Sequence, residues 1–175
     1  MTAKTIGRAV LLAFVLAGAL LHASAAPAEA RTVAGKVVRV ADGDTITVAV
    51  AGAGNVKVRL YGIDAPEVRH KETPGQPYGR NARQALKSLT LGRSVRVEIL
   101  DVDSHDRAVG VVSMSGVDIN LAMVREGWAW AYRRYLSAPY ASEYLDAERE
   151  ARAKRLGLWQ QPNPSPPWEF RRRWR

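Results

Sequence analysis

Alternating apolar and polar positions predict three closely spaced strands in the first half of the chain. Residues 33–40 are rich in valine and end at the turn dipeptide Asp42-Gly43. Apolar and polar side chains then alternate over residues 45–50 and again over residues 56–61, with a second turn at residues 52–55 between them. Three strands joined by tight turns predict an antiparallel meander.

The rest of the pattern predicts three helices and two further strands. Asp118 and Ser137 are suited to cap the last two helices, because their side chains can accept hydrogen bonds from the first backbone N–H groups. The order β-β-β-α-β-β-α-α favours an α+β fold, a five-stranded, partly open Greek-key barrel of the OB-fold type with three packed helices. The predicted elements are a helix over residues 81–91, strands over 95–100 and 108–114, a helix over 119–126 and a helix that ends at 155.

The two ends of the chain differ from this body, which covers residues 31–159. Lys4 and Arg8 precede an apolar run of 13 residues, from Ala9 to Leu21. This run is short for a transmembrane helix and is typical of a signal peptide, which we place at residues 1–25 with cleavage as late as residue 30. The mature protein is then secreted or periplasmic and has no stable membrane insertion. The alternative is an uncleaved N-terminal anchor.

The last segment, residues 160–175, combines four prolines with a basic and aromatic end. This composition predicts a disordered tail. The tail is either solvated or adds attraction and base stacking for a nucleic acid.

Composition narrows the possible chemistry. The chain has 26 Lys and Arg against 17 Asp and Glu, which gives a formal net charge of +9. A basic surface attracts polyanions such as nucleic acid, anionic lipid or acidic wall polymers. The chain contains no cysteine, which excludes disulfides, thiolate metal sites and cysteine nucleophiles, and its three histidines argue against a histidine-rich metal site.

Charged residues recur at the ends of the predicted strands. Asp44, Arg59, Asp64 and Glu67 lie close together in sequence, and Arg107 opens the fifth strand. Phosphodiester cleavage needs positive groups that stabilise the negative charge on the phosphate oxygens, and a group that activates water. Arginines and a hard cation held by carboxylates can supply the positive charge, and a further carboxylate can activate the water. The alternative interpretation is purely structural, as a hairpin turn and surface salt bridges.

At these residues the sequence resembles the thermonuclease family, whose type member is staphylococcal nuclease. The similarity runs over residues 33–159. Its most specific parts are the runs VADGDT at 40–45 and VRLYGIDAPE at 58–67, followed by YGRNA at 78–82 and by residues 103–110. The resemblance implies an OB-fold barrel and a calcium-dependent endonuclease that hydrolyses DNA and RNA and leaves 3′-phosphate ends.

The resemblance also implies a role for each site residue. Asp44 and Asp64 correspond to calcium carboxylates, and Ala65 stands where the family contributes a backbone carbonyl to the ion. Tyr132 and Tyr135 fall near the tyrosines on which the family stacks nucleotides. The alternative for both tyrosines is packing against the last helix.

The catalytic residues implied by the resemblance are Glu67, as the carboxylate that activates water, and Arg59 and Arg107, as phosphate clamps. One feature departs from the family, which usually has an aromatic residue and glycine just before the second arginine. Here that position is Asp106, which could compete for Arg107. His105 beside it is interpreted as an exposed loop residue.

Two other functions stay open at this point. A non-catalytic OB-fold module would bind nucleic acid without cleaving it, and a basic envelope protein would be held by its arginine- and tryptophan-rich tail. Retention of all five charged positions favours the enzyme. By default we expect a monomer.

Overall fold

The structure is a computed structural model that describes residues 31–70 and 73–174. The predicted signal peptide lies outside the described residues. No helix within those two ranges combines the length and the apolar character needed to cross a membrane.

Five long strands form the barrel, namely β1 (Arg31–Val40), β2 (Thr45–Val50), β3 (Gly54–Leu60), β5 (Ser94–Val102) and β6 (Ala108–Met114). Their order in the sheet is β3-β2-β1-β5-β6. The first three make the predicted antiparallel meander, and β3 closes the barrel by pairing in parallel with β6. The five-stranded OB-fold prediction is confirmed, and the barrel is closed where we expected a partly open one.

The barrel interior contains the apolar residues that the strand period places on one face. Because side chains alternate between the two faces of a strand, every second residue points inward. The innermost positions are filled by β-branched and leucine side chains, which suit a half-buried pleated surface. They include Val37, Ile46, Val48, Val58, Leu60, Val97 and Val112, each at most 1% exposed.

Three helices pack on the barrel near their predicted positions. They are α1 (Gly79–Thr90), α2 (Ile119–Arg125) and α3 (Ala141–Ala153). Asp118 caps α2 as predicted, because its Oδ1 accepts a hydrogen bond from the backbone N–H of Leu121 at 2.9 Å. Ser137 does not cap α3. Its hydroxyl lies 3.0 Å from the Tyr61 hydroxyl instead, and the helix begins three residues later than that cap would place it.

Short strands that the sequence pattern did not predict connect the helices to the barrel. β4 (Ile63–Asp64) pairs with β8 (Trp130–Ala131), and β7 (Val117–Asp118) pairs antiparallel with the end of β6. The β4–β8 pair matters for the site, because it fixes Asp64 opposite Trp130.

The C-terminal segment is folded against the domain rather than disordered as we predicted. A fourth helix, α4, spans Pro167–Arg173 and begins with a proline in its first turn, where a missing N–H costs no hydrogen bond. Trp168 packs edge-on against Trp130, with ring centroids 5.6 Å apart. Burial of these aromatic rings supplies the contact area that the Pro-rich composition alone does not reveal.

Candidate active site

A tight turn before β2 brings Asp44 into the protein interior. The backbone N–H of Asp44 donates to Asp42 Oδ1 at 3.0 Å, and the backbone carbonyl of Asp44 accepts from the Leu60 N–H at 2.8 Å. Gly43 is required by close packing, because a Cβ atom there would lie 2.6 Å from the Cβ of Ala65 and 2.7 Å from that of Ala82. The turn therefore places the Asp44 carboxylate against the loop that follows β4.

Arg59 connects two buried carboxylates. Its Nη1 donates to Asp44 Oδ1, and its Nη2 donates to Asp64 Oδ1 at 2.8 Å. Asp44 is 2% exposed and Asp64 is fully buried, so each depends on this guanidinium for part of its charge compensation. Burial lowers the pKa of Arg59, but the two carboxylates outweigh burial and raise it.

Asp44 keeps an elevated pKa in spite of this partner. Burial raises the pKa of its carboxyl to about 6, and the charge of Arg59 opposes only part of the rise. Oδ1 also accepts from the Thr45 hydroxyl at 3.1 Å, and Oδ2 accepts from the Ala65 backbone N–H at 2.8 Å. A further positive charge at this carboxylate would offset the cost of burying it.

Glu67 lies next to this pair and contacts the C-terminal helix. Arg171 of α4 donates from Nη1 to Glu67 Oε1 at 2.6 Å and to Asp64 Oδ1 at 3.0 Å, and from Nη2 to Asp64 Oδ2 at 2.8 Å. Burial raises the pKa of Glu67, and the hydrogen bond from Arg171 counters part of that rise. Arg59 and Arg171 thus approach the same carboxylate of Asp64 from two different elements.

The loop that carries Glu67 is fixed by its neighbours. Gln76 is buried, and its side-chain Oε1 accepts from the Glu67 backbone N–H at 2.9 Å. Gly79 at the start of α1 allows a close approach, because a Cβ atom there would lie 2.2 Å from the Glu67 carbonyl oxygen. This contact explains why glycine follows Tyr78 in the YGRNA run.

Arg107 is not part of the carboxylate cluster. Its Nε and Nη2 contact Asp103 Oδ2 at 2.8 and 2.7 Å, which is the structural salt bridge that the alternative interpretation allowed. Asp103, rather than Asp106, is its partner. Asp106 instead adopts a left-handed backbone with φ 55°, a conformation that suits the glycine usual in the family and that aspartate tolerates.

One cleft nevertheless joins the separate charged groups. Arg59, Arg107 and Arg171 all line an open cleft of about 1000 Å³, together with Tyr132 and Tyr135. Three guanidinium groups on the wall of one cleft make it strongly attractive to a phosphate backbone.

The two tyrosines line this cleft and pack on each other. Their ring centroids are 5.1 Å apart in an edge-on arrangement. Tyr132 is also stacked on Trp168 of α4, at 5.0 Å and an interplanar angle of 8°, while Tyr135 is more than half exposed. Packing against a helix, one of the two interpretations from sequence, therefore describes Tyr132, although the helix is α4.

Comparison with known proteins decides the family. The model for the staphylococcal nuclease homologue family matches residues 57–161, which include Arg59, Asp64, Glu67 and Arg107. The chain belongs to the staphylococcal nuclease family.

Several relatives cover most of this nuclease. A protein named micrococcal nuclease from Shigella flexneri is 44% identical over 147 residues, which are 79% of this chain and 80% of the relative. Protein ParB from Escherichia coli is 42% identical over 173 residues, 94% of this chain and 92% of the relative. An uncharacterized endonuclease from Haemophilus influenzae is 39% identical over 137 residues, 78% of this chain and 72% of the relative. The chain is accordingly an enzyme that hydrolyses phosphodiester bonds, and its substrate is nucleic acid.

The structure brings some predicted site residues together and separates others. Asp44, Arg59, Asp64 and Glu67 form one cluster, while Arg107 reaches only the shared cleft. Within the part of the chain that the structure describes, no three His, Cys, Asp or Glu side chains are grouped as a metal site. The oxygens of Asp44 and Asp64 are nevertheless hard donors of the kind that calcium or magnesium prefers.

Sequence reasoning missed Arg171 and Gln76. Arg171 lies in a segment whose proline content predicted disorder. Gln76 lies in a loop between prolines, where no alternation of apolar and polar residues indicates which side chains are buried. The only signal for Arg171 was the basic and aromatic composition of the last eight residues, which indicates an attraction for anions without identifying which arginine meets them.

Proposed function

We propose that this nuclease is a calcium-dependent endonuclease that acts outside the cytoplasm on DNA and RNA and leaves 3′-phosphate ends. The observation that carries the proposal is the pairing of two buried carboxylates, Asp44 and Asp64, on the guanidinium of Arg59, with Glu67 beside them. Export is supported by the N-terminal sequence, and calcium and the product ends by the resemblance of the DGDT and GIDAPE motifs. We also propose that the mature protein is a monomer without stable membrane insertion.

Asp44 and Asp64 are the side chains that would hold the ion, together with the backbone carbonyl of Ala65. When bound, calcium supplies positive charge that stabilises the negative charge developing on the phosphate oxygens. The donor set is all oxygen and contains no histidine or cysteine, which suits a hard divalent cation. The choice of calcium rests on the resemblance of the DGDT and GIDAPE motifs.

Arg59 can contact a phosphate while it holds the carboxylates. Its hydrogen bonds to Asp44, Asp64 and the Ile63 carbonyl use three of the five N–H groups that a guanidinium carries. The remaining N–H groups are free to donate to a non-bridging oxygen in the cleft that Arg59 lines.

Glu67 is the carboxylate that accepts a proton from, or orients, the attacking water. Its Oε1 is engaged by Arg171, so Oε2 is the oxygen that can accept a hydrogen bond from water in the cluster. Burial raises the pKa of Glu67 and makes its carboxylate a better proton acceptor than an exposed one.

Arg107 is the second phosphate clamp, and it reaches its substrate across the cleft. The contacts to Asp103 use Nε and one N–H of Nη2, so other N–H groups of the guanidinium remain for a phosphate. Bases on either side of the scissile phosphate would stack on Tyr135, whose ring is exposed.

The test is cleavage of circular DNA and of single-stranded RNA by the purified mature chain, with calcium, with magnesium and with EGTA. We expect cleavage of both substrates with calcium, none with EGTA, and products that accept label from polynucleotide kinase at the 5′ end without prior phosphatase treatment. Cleavage that persists in EGTA would contradict the carboxylate–metal mechanism. Products that carry 5′-phosphate would contradict the assigned end chemistry alone.

A further inference from the structure

We infer that Arg171 is a positioning residue of the active site, and that the C-terminal helix α4 completes that site by fixing the Glu67 carboxylate beside Asp64. This inference rests on the proposed role of Glu67. It assigns a function to a segment that lies beyond residue 161, where the match to the family model ends.

The contacts of Arg171 hold two carboxylates in one geometry. Both of its terminal nitrogens donate to Asp64, and Nη1 also donates to Glu67 at 2.6 Å. A planar guanidinium that bridges two carboxylates constrains the distance and angle between them more than a lysine ammonium does. Glu67 is 29% exposed at its side chain and belongs to a loop, so it needs such a partner to stay in one orientation.

The same C-terminal segment also fixes the backbone of Glu67. Ser165 accepts a hydrogen bond at its carbonyl from Gln76 Nε2 at 3.0 Å, while Gln76 Oε1 accepts from the Glu67 N–H at 2.9 Å. Gln76 therefore connects the chain just before α4 to the residue whose side chain Arg171 holds. Glu67 is restrained at its main chain and at its carboxylate by one element.

The helix that carries Arg171 is anchored independently of that arginine. Pro167 is buried, and Trp168 lies between Tyr132, on which it is stacked, and Trp130, which it meets edge-on. Aromatic contacts of this kind contribute about 1 kcal/mol each beyond the burial of their area. Loss of the Arg171 side chain should therefore leave α4 docked.

The contacts with Arg171 leave acceptor positions free on the Asp64 and Glu67 carboxylates. A carboxylate offers about four acceptor positions. Asp64 uses three of them on Arg59 and Arg171, and Glu67 uses one on Arg171. Oxygen lone pairs thus remain on both residues, and Arg171 orients Glu67 without blocking its Oε2.

The charges favour the same conclusion. Asp44, Asp64 and Glu67 bring three negative charges together. The single positive charge of Arg59 compensates only one of these three charges. Arg171 supplies a second positive charge to this cluster through its ion pairs with Asp64 and Glu67. Without Arg171 the Glu67 carboxylate would turn away from its neighbours toward solvent.

The experiment compares the full mature chain with R171A, R171K and R171Q. The matched control is R173A, which removes the same charge from the exposed side of the same helix. With the divalent ion that supports cleavage by the wild type, we expect R171A to lose about tenfold to a hundredfold in kcat with KM within about threefold, as for a misplaced catalytic group. R171K should recover part of the loss, and millimolar guanidinium should accelerate R171A but not R173A.

Equal or faster turnover by R171A than by R173A would overturn the inference and would indicate that the arginine competes with the ion for Asp64. A loss confined to KM would also overturn it, because Arg171 would then only bind substrate. If R171A does not fold, as judged by circular dichroism, R171Q keeps the side-chain stem and decides by the same criteria. Failure of the wild type to cleave with any divalent ion would count against the proposed function itself, which separates the two outcomes.

Discussion

The backbone N–H of Ala65 donates to Oδ2 of Asp44 at 2.8 Å, across 21 positions of sequence. This hydrogen bond ties the loop after β4 to the turn before β2, and Arg59 connects the same two segments through its guanidinium. The pair of carboxylates is therefore preformed by the fold. A preformed site spends little binding free energy on ordering its ligands.

Glu67→Gln should abolish most of the activity while it leaves the fold intact. The amide oxygen of glutamine can still accept the hydrogen bond from Arg171, but it cannot accept a proton from water. We expect kcat to fall by about a hundredfold to ten-thousandfold, the usual contribution of a positioned acid or base. Steady-state cleavage kinetics measure the fall.

The control for this variant is Glu150→Gln, which removes a carboxylate from an exposed ion pair on α3. Its activity should match the wild type, since exposed ion pairs contribute little. Turnover of Glu67→Gln within about tenfold of this control would be incompatible with the assigned role, because a positioned base contributes more than that.

Arg59→Ala should destabilise the protein more in EGTA than in calcium. Removal of the guanidinium leaves Asp44 and Asp64 buried without their shared partner, and breaking such a buried pair costs about 3 kcal/mol or more. A bound cation would replace part of the lost charge. Urea unfolding followed by tryptophan fluorescence in both buffers measures the difference.

Equal destabilisation of Arg59→Ala in the two buffers would contradict the expectation that a cation beside Asp44 and Asp64 replaces part of the lost positive charge. Arg93→Ala is a suitable reference for both conditions, because this arginine is exposed at a turn. Its unfolding free energy should respond to calcium as that of the wild type does.

Asp44 should give the metal-free protein a stability that falls with rising pH. Burial raises the pKa of its carboxyl from 3.8 to about 6, so the folded chain keeps a proton that the unfolded chain has lost. The favourable contribution is complete below the unfolded pKa and is lost as the pH rises through the folded pKa. Relative to Asp44→Asn, the wild type should lose on the order of 2 to 3 kcal/mol between about pH 4 and pH 6.

Urea unfolding of both proteins in EGTA, repeated across this range of pH, checks the expectation. Comparison with the asparagine variant cancels the titration of other groups. Parallel pH profiles for the two proteins would mean that the Asp44 carboxyl is not perturbed by burial.

Asp106→Gly should stabilise the loop before Arg107. Asp106 has φ 55°. Glycine adopts this backbone conformation without strain, whereas a residue with a Cβ atom is strained in it. We expect the free energy of unfolding to rise by about 0.5 to 1 kcal/mol, and Asp106→Val to lower it by more than that. Ser104→Gly in the same loop, at a residue with negative φ, should not stabilise; a gain equal to that of Asp106→Gly would contradict the backbone explanation.

Glu148 should stabilise the fold through the hydrogen bond that its side chain accepts from the Ala131 backbone N–H. Its side chain is 1% exposed, and Oε2 accepts from the Ala131 N–H of β8 at 2.7 Å. Glu148→Ala leaves this buried N–H without a partner, which costs about 1 to 3 kcal/mol besides the lost packing. Glu148→Gln keeps an acceptor and should cost clearly less, as thermal unfolding would show. Equal losses would assign the effect to the ion pairs that Glu148 Oε1 forms with Arg152 at 2.8 Å and with Arg133 at 3.6 Å.

The strands of the barrel and the core of the site could be predicted because both follow from the alternation of side chains. Ile46 and Val48 point inward, so Asp44, with the same parity, had to be directed toward the barrel as well. Arg59 has the opposite parity to Val58 and lies off the apolar face, where it can reach an anion. For these two residues, the local alternation of side chains was sufficient to predict their directions.

Other parts of the structure depend on contacts that no local pattern records. The helix α4 has seven residues, too few to be stable in isolation, and it depends on the docking of Trp168. The ion-pair partner of Arg107 could not be predicted, because Asp103 and Asp106 are both within reach in sequence. In the structure Arg107 pairs with Asp103, and Asp106 has a positive φ. Ser137 had a competing hydroxyl partner, Tyr61, at a separation of 76 positions.

Closure of the barrel has a consequence for when this enzyme can cut. The parallel pairing of β3 with β6 sets Arg59 opposite Val109, two residues beyond Arg107, and no other pairing among the described strands brings these two segments side by side. The two guanidinium groups assigned to the phosphate come together only when the first and last long strands of the sheet meet. A chain in which β3 and β6 have not paired lacks this arrangement of guanidinium groups, so chemical competence requires a closed barrel.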